Sequence, residues 1–252
     1  MTSPQITSHW PSWPLPVRQP FSITPRQTCG YLASRLSTFR AFQADHLSGE
    51  EFQRLLDAGF RRSGSIIYQP MCAGCRACIP IRVPVDRFAP SRSQRRVLRK
   101  NTGVRITAGP PIPTQEKWEL YQRYQREWHR KHTPDDDLAG FIDFLYHSPV
   151  ETLEFTYRDR WDNLLGVGIC DICPRSLSSV YFYFDPRRAD QSLGTYSALY
   201  EIQWAREQKY AYWYAGYWIE QCASMSYKSR FRPFEILCTD GQWREADAGA
   251  IQ

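Results

Sequence analysis

The hydrophobic and polar positions of the first hundred residues predict one helix among short strands. The helix is expected over residues 47–59, because Ser48 and Glu51 have the spacing of a capping box and the apolar positions that follow have helical spacing. Residues 65–69 and 79–85 have the length and composition of strands, and a Cys-rich loop separates them. This part of the chain is therefore expected to form a small, Cys-containing α/β unit.

The pattern changes after a proline-rich segment, which we interpret as the join between two domains, 1–110 and 111–252. Thr114 is expected to begin a helix whose aromatic face belongs to the core, with Trp118, Tyr121, Tyr124 and Trp128. One further helix begins near Gly194, and strands are predicted at residues 151–158, 164–171, 179–185, 210–218 and 233–239. The order of these elements predicts an α+β layer structure.

Composition and charge narrow the choice of partner and location. The 252 residues contain no apolar run long enough for a transmembrane helix, and residues 1–20 lack the apolar core of a signal peptide. A cytoplasmic location without a membrane partner is therefore expected. The net charge of +6 is uneven, since residues 61–105 contain eleven Lys or Arg and one acid. This stretch indicates a polyanionic partner, and the alternative is a solvated face with counter-charges folded against it.

Three of the eight cysteines form the strongest local motif. They are spaced i, i+3, i+6 in a glycine-containing loop and can converge on zinc or an iron–sulfur cluster. A fourth ligand is then needed, so the predicted metal ligands are Cys29, Cys72, Cys75 and Cys78. A reduced, partly buried thiol cluster without metal is an equally supported alternative.

A strand-to-helix turn at residues 191–196 resembles the acyl-CoA-binding turn of the GNAT acetyltransferases, where backbone N–H groups hold a pyrophosphate. Tyr196 replaces the small residue of that pattern and is expected to crowd a pyrophosphate, so a GNAT-like fold with another donor is favoured. Asp185 ends the preceding strand and is a candidate to orient or deprotonate an attacking amine. The alternatives are a plain helix start and an Asx-type turn with Pro186.

Longer runs in both halves resemble the bacterial aspartate/glutamate leucyltransferases, which are relatives of the arginyl-tRNA–protein transferases. From about residue 29 to residue 233, the resembling runs are Gly59-Phe-Arg-Arg-Ser-Gly64, the loop 72–78 through Ile79-Pro-Ile-Arg82-Val-Pro, Ser91-Arg-Ser-Gln-Arg-Arg-Val-Leu-Arg-Lys-Asn101, Tyr183-Phe-Asp185-Pro186, Ser192-Leu-Gly194-Thr, Gly216-Tyr-Trp-Ile219 and Met225-Ser-Tyr-Lys228. The chain departs from the family's pattern at Ala33-Ser34, Gln69 and Ser224.

The resemblance implies a fold and a reaction. The fold is a small Cys-containing domain followed by a GNAT-like acyltransferase domain with a mixed, largely antiparallel sheet. The reaction is transfer of Leu from leucyl-tRNA to the α-amino group of a protein with N-terminal Asp or Glu, which marks that protein for degradation. Direct aminolysis of an ester needs positioning and a polarised carbonyl, but no covalent enzyme intermediate and no required cofactor. Arg remains an alternative to Leu as the transferred residue.

The resemblance also implies roles for particular side chains. Arg76 and Arg82 are predicted to bind the acceptor's carboxylate, because a guanidinium has the fork geometry that carboxylates accept. For either one, a structural ion pair or a phosphate contact is the alternative. Asp185 is the predicted catalytic residue, beside further substrate-binding residues at Tyr68, Ser192, Gly194, Tyr217 and Lys228. The predicted contacts to tRNA phosphates are Arg92, Arg95, Arg96, Arg99 and Lys100.

Two other functions compete with this interpretation. A CoA-dependent GNAT N-acetyltransferase shares the predicted fold, but Tyr196 and the basic stretch disfavour it. A non-catalytic, metal-stapled RNA-binding module explains the cysteines and the charge. That second alternative leaves Asp185 and the neighbouring turn without a role.

Overall fold

The computed structural model describes residues 21–130 and 137–246, so the predicted lead-in at 1–20 lies outside the described residues. Its α-helices are α1 Gly49–Asp57, α2 Arg92–Lys100, α3 Gln115–Glu127, α4 Leu138–Leu145, α5 Leu193–Glu207 and α6 Ala223–Ser226, and short 3-10 helices lie at Pro186–Gln191 and Tyr227–Arg230. Its strands are β1 Ser22–Ile23, β2 Gln27–Thr28, β3 Leu36–Ser37, β4 Phe39–Gln43, β5 Arg61–Ser63, β6 Ile66–Pro70, β7 Ile79–Pro84, β8 Arg105–Gly109, β9 Thr152–Arg158, β10 Leu164–Cys173, β11 Ser176–Phe184, β12 Tyr212–Trp218, β13 Glu235–Leu237 and β14 Trp243–Glu245.

The boundaries of α1 follow from its capping residues. The Ser48 hydroxyl accepts a hydrogen bond from the Glu51 backbone N–H, and the Glu51 carboxylate accepts one from the Ser48 N–H at 2.9 Å. The predicted capping box is therefore confirmed. Gly59 lies just beyond the helix with a φ of 84°, a left-handed conformation that favours glycine and turns the chain towards β5. The helix buries Phe52 and Leu55 in a core that it shares with β4 and β6.

Most β-elements are organised in two sheets. The smaller has the strand order β1-β4-β6-β5, and the larger has the order β14-β13-β7-β12-β11-β10-β9-β8. In the larger sheet β11 and β12 are parallel, and all other neighbours are antiparallel. The predicted mixed, largely antiparallel sheet is confirmed, whereas the GNAT-like assignment stays a prediction. No helix within 21–130 or 137–246 is long and apolar enough to cross a bilayer.

Strands from both predicted domains meet in the larger sheet. β7 precedes the proposed join at residue 110, yet it lies between β12 and β13, which come from the end of the chain. β8 also precedes the join and pairs with β9. The division at residue 110 stays a prediction about the chain's organisation, and the two parts are linked by a continuous hydrogen-bonded ladder.

The parallel strands β11 and β12 separate after three paired positions. Their last pair is Ser178 with Tyr214, after which β11 continues beside β10 and β12 continues beside β7. The ladder between β12 and β7 is irregular between Tyr214 and Gly216, and Gly216 has a φ of 89°. We call the space beyond the last pair, from Ser179 on β11 and Gly216 on β12, the strand gap.

Several elements differ from the sequence-based expectation. α2 and α4 were not predicted, and α2 escaped because Val97 and Leu98 are its only apolar positions. The strand expected at 233–239 is the shorter β13, and a further strand, β14, follows it. On the aromatic face after Thr114, Trp118 and Tyr124 are buried as predicted, but Trp128 is about half exposed because α3 ends one residue earlier.

Candidate functional site

The basic run at residues 92–100 forms α2, a helix with a charged outer surface. Ser91 and Gln94 form a capping box at its start, which fixes where the helix begins. The five predicted phosphate contacts are all exposed on it: Arg92, Arg95, Arg96, Arg99 and Lys100. Among the described residues only Lys100 has an ion-pair partner, at 3.0 Å from Asp190. The surface of α2 therefore carries excess positive charge.

Both ends of α2 are fixed to other parts of the candidate site. At its start, Gln94 Nε2 donates to the Arg230 carbonyl at 3.1 Å, in the short helix that contains Lys228. At its end, Asn101 Nδ2 donates to the Gln191 carbonyl at 2.9 Å, just before α5. The predicted tRNA-binding helix thus extends between the Lys228 helix and the turn at the start of α5.

Asp185 lies at the end of β11, and its carboxylate is fully engaged. It accepts hydrogen bonds from the Arg187 backbone at 3.1 Å and side chain at 2.9 Å, and Arg123 lies 3.4 Å away. Burial alone raises the pKa of Asp185, but the bonds from Arg187 and the charge of Arg123 outweigh it and hold the pKa below its usual value. The Asx-type turn considered as an alternative is therefore present, and Asp185 is a weak base.

The turn before α5 differs from the expectation in one respect. Ser192 has a left-handed φ of 54° and makes no side-chain cap, while Gly194 has open space around its Cα. Tyr196 is buried and its ring packs near Tyr157, with ring centroids 6.1 Å apart. The prediction that Tyr196 crowds the turn is wrong, because its side chain lies in the core instead. The basic stretch alone then argues against a CoA donor.

Arg82 belongs to a structural ion-pair network on β7. Its guanidinium donates to Glu235 at 2.8 Å and contacts Asp57 at 3.2 Å, and its carbon lies 3.7 Å from the centroid of the Tyr212 ring. A guanidinium held in this way has little capacity left for a substrate carboxylate. The structure favours the ion-pair alternative for Arg82, whereas Arg76 is exposed in the cysteine loop.

The cysteine loop does not form a metal site as it stands. The thiol of Cys72 lies against the Thr38 backbone, and burial, followed by the charges of neighbouring thiols, raises the pKa of Cys78 to about 12. Yet within 21–130 and 137–246 no three His, Cys, Asp or Glu side chains are close enough to hold a metal ion. The cysteines, Cys29 included, are free thiols. The metal prediction stays a prediction, which elemental analysis of anaerobically purified protein would test.

Three predicted substrate residues lie at the strand gap. The rings of Tyr68 and Tyr217 are 6.3 Å apart, and Tyr217 Oη donates to the Gly59 carbonyl at 2.9 Å. The Lys228 ammonium is buried and donates to the Tyr217 carbonyl at 2.9 Å. Burial, and then the charge of Arg61, lowers the pKa of Lys228 to about 7. The structure therefore brings Tyr68, Tyr217 and Lys228 together, while Asp185 lies at the far end of β11.

Arg61 is the residue of this region that sequence reasoning missed. Its guanidinium donates to Ser178 Oγ at 2.8 Å and to the Ser179 carbonyl, so it lies where β11 and β12 separate. It is buried, as is Arg40, whose Nη2 makes no hydrogen bond in the described part of the chain. The signal was the pair Arg61-Arg62 in a strand, because adjacent side chains point to opposite faces and one of two arginines then faces the larger sheet.

Comparison with known proteins identifies relatives over most of the chain. The models for the arginine-tRNA-protein transferase N terminus and C terminus match residues 27–96 and 116–238. The aspartate/glutamate leucyltransferase of Saccharophagus degradans is 39% identical over 88% of this chain and 94% of its own length, and that of Hahella chejuensis is 38% identical over 87% and 94%.

Solved structures give more distant similarities. The C-terminal domain of a putative lysylphosphatidylglycerol synthetase from Agrobacterium fabrum is 9% identical, with a TM-score of 0.46, over 77% of this chain and 70% of that chain. Both matching family models are named for arginine-tRNA-protein transferases, and both lie in the order in which the chain presents them. The curated relatives fall well above 30% identity over nearly their full lengths. The chain therefore belongs to the family of the aspartate/glutamate leucyltransferases.

Proposed function

We propose that the protein transfers a leucyl group from leucyl-tRNA to the α-amino group of acceptor proteins that begin with Asp or Glu. The observation that carries this proposal is the 39% identity with a protein named aspartate/glutamate leucyltransferase, over 88% of this chain. The basic surface of α2 and its attachment to the Lys228 helix support the same conclusion. A cytoplasmic location remains a prediction.

The reaction asks little covalent chemistry of the protein. The neutral amine of the acceptor attacks the ester carbonyl of the aminoacyl-tRNA, a C–N bond forms, and the 3′ hydroxyl of the tRNA leaves with a proton. Such a step is accelerated mainly by holding the two reactants together and by polar groups near the carbonyl. We assign the donor to the region between α2 and the start of α5, because Arg92, Arg96 and Arg99 are available there for phosphates.

Within this scheme we assign Asp185 to positioning. Its carboxylate accepts from Arg187 and has Arg123 beside it, and its lowered pKa makes it a poor acceptor for the amine's proton. Two arginines held at the end of β11, close to the turn at Ser192, are suited to the phosphates of the tRNA's 3′ end. Asp185→Asn is thus expected to weaken tRNA binding as well as transfer.

The donor and acceptor are tested with purified protein. Leucyl-tRNA, arginyl-tRNA and acetyl-CoA are each supplied with peptides that begin Asp, Glu or Ala, and the products are identified by mass spectrometry. We expect addition of Leu to the Asp and Glu peptides only. Transfer of Arg would change the donor assignment, and acetylation from acetyl-CoA would overturn the proposal.

The assignment of α2 predicts a particular salt dependence. Replacing Arg95, Arg96 and Arg99 together with Gln removes up to three phosphate contacts, so fewer counterions are released on binding. The slope of log affinity against log salt should fall by about 2–3. Filter binding of tRNA between low and physiological salt measures it, and Arg105→Gln, at an exposed ion-paired arginine on β8, is the matched control. An unchanged slope would place the tRNA on another surface.

A further inference from the structure

The buried charged side chains of the described residues are unevenly matched. Within 21–130 and 137–246, every buried carboxylate accepts at least one hydrogen bond, namely Glu154, Asp171, Asp185 and Glu201. Three buried cations form ion pairs, and these are Arg62, Arg82 and Lys117. The other three buried cations have no carboxylate partner in the same ranges, and these are Arg40, Arg61 and Lys228. Unpaired buried charges are costly, so their presence calls for a reason.

Two of the unpaired cations face the same point in the strand gap. A Cβ atom added to Gly216 would lie 3.4 Å from Lys228 Nζ and 3.6 Å from both Nε and Nη2 of Arg61. The two side chains are therefore no more than 7.0 Å apart, the sum of these distances. Gly216 leaves that point free of side-chain atoms. We call Arg61 and Lys228 the cation pair.

The groups around the cation pair provide no negative charge. Burial raises the pKa values of Tyr68 and Tyr217, and it raises that of Cys78 to about 12, so all three are neutral at neutral pH. The thiol of Cys222 is a further neighbour of Lys228. The buried carboxylate of Glu201 is occupied by Trp213 Nε1 at 2.8 Å and by Ser197 Oγ at 2.8 Å.

Both members of the pair keep unused donors. Arg61 has five N–H groups, and its hydrogen bonds go to Ser178 Oγ and the Ser179 carbonyl, with none from Nε. Lys228 has three, and its hydrogen bond goes to the Tyr217 carbonyl. The donors that remain lie on either side of the point beside Gly216. An anion there receives charge-assisted hydrogen bonds from a planar guanidinium and from an ammonium.

We propose that Arg61 and Lys228 bind the side-chain carboxylate of the acceptor's N-terminal Asp or Glu. This inference rests on the proposed function and names the residues that select its acceptor. A carboxylate at a chain terminus is small and can enter a gap in which Arg61 and Lys228 are only 8% and 9% exposed. A tRNA phosphate carries a ribose on each side and suits the exposed arginines of α2 better.

The position of the pair also suits the reaction. In Asp or Glu the carboxylate is only two or three carbon–carbon bonds from the carbon that bears the α-amine, so holding one fixes the other within a short range. Gln94 links the Lys228 helix to α2, which we assign to the tRNA. The acceptor's amine is therefore held beside the donor's binding surface.

The proposal is tested by comparing acidic acceptors with their neutral amides. Arg61→Met and Lys228→Met each remove a charge while keeping an apolar side chain of similar length. We expect kcat/KM for Asp and Glu peptides to fall about 10- to 100-fold in each variant, while that for Asn and Gln peptides changes much less. Leucyl-tRNA binding should be retained. Arg61→Lys should recover part of the loss, and Arg105→Met at an exposed position is the matched control.

Direct binding of Asp and Asn peptides, by calorimetry without tRNA, gives a second measurement that does not depend on turnover. The unchanged protein should prefer the Asp peptide, and Arg61→Met should remove that preference. Equal losses for Asp and Asn peptides, or loss of leucyl-tRNA binding with the Asp preference intact, would assign the pair to the donor and overturn the proposal. Failure of the proposed function is different, since the unchanged protein would then transfer Leu to no peptide.

Discussion

Arg61 and Arg62 are neighbours on β5, yet their surroundings are opposite in kind. Arg62 points to one face, where its Nε and Nη2 donate to the Asp171 carboxylate at 2.8 and 2.6 Å and Thr152 completes the contact. Both charged side chains of this pair are at most 1% exposed. Arg61 points to the other face, where it meets a hydroxyl, a carbonyl and the ammonium of Lys228.

The contrast separates a charge that stabilises the fold from one that is available to a ligand. The Arg62–Asp171 pair is complete within the chain, so it ties β5 to β10 and leaves nothing for a substrate. The cation pair is incomplete, and the folded protein bears the cost of two like charges close together. Such a cost is characteristic of sites where binding provides the missing partner. A carboxylate in the strand gap would give Arg61 what Asp171 gives Arg62.

The largest expected effect is on stability, at Arg62. Arg62→Met leaves Asp171 buried without its partner, which should lower the free energy of unfolding by about 3–5 kcal/mol. Arg61→Met should change it by about 1 kcal/mol or less, because it removes hydrogen bonds and a like-charge contact together. Urea denaturation of both variants measures the difference.

A second variant checks the cause of the Arg62 effect. Arg62→Met combined with Asp171→Leu removes both charges and should regain most of the lost stability, since no unpaired carboxylate remains. Comparable losses for Arg61→Met and Arg62→Met would break the distinction between the two arginines.

A smaller effect, on the pH dependence of stability, is expected at Lys228. Its pKa is about 7 in the folded protein and has its ordinary value near 10.4 in the unfolded chain. Between these values the unfolded chain binds more protons, so Lys228 makes stability rise with pH over that window and imposes its full penalty below pH 7. Lys228→Met should be more stable by on the order of 2 kcal/mol near pH 6.

The advantage of Lys228→Met should shrink towards pH 10, where the folded protein already holds a neutral amine. Urea denaturation of both proteins at pH 6, 8 and 10 gives the comparison, and groups that titrate in both proteins cancel. A constant difference across this range would show that Lys228 keeps its proton in the folded protein and is not a desolvated ammonium.

Local patterns predicted most elements of the fold, because their signals are local. The capping box of α1, the cap of α3 at Thr114 and the helix starting near Gly194 depend on residues within one turn of each other. The order of strands was beyond such reasoning. That β7 lies between β12 and β13 depends on contacts between distant segments, which no short run specifies.

The site divides in the same way. The resemblance drew attention to Tyr68, Tyr217 and Lys228, and the structure places them at one gap. Arg82 was chosen as an arginine near the cysteine loop, but Glu235 and Asp57, which occupy it, lie 153 and 25 residues away in sequence. Whether an arginine has a free guanidinium depends on such distant partners, and the same reason hid Arg61.

The place of β7 in the larger sheet has a consequence for how the chain is made. Its partner positions on β12, such as Tyr214 opposite Arg82, are synthesised 132 residues later. At usual translation rates of about 5–20 residues per second, β7 waits roughly 7–26 s for its neighbour. During that interval the strand has no β12 or β13 at its edges, so this sheet can be completed only near the end of synthesis. A fragment that stops before β12 would leave an apolar strand open to other chains.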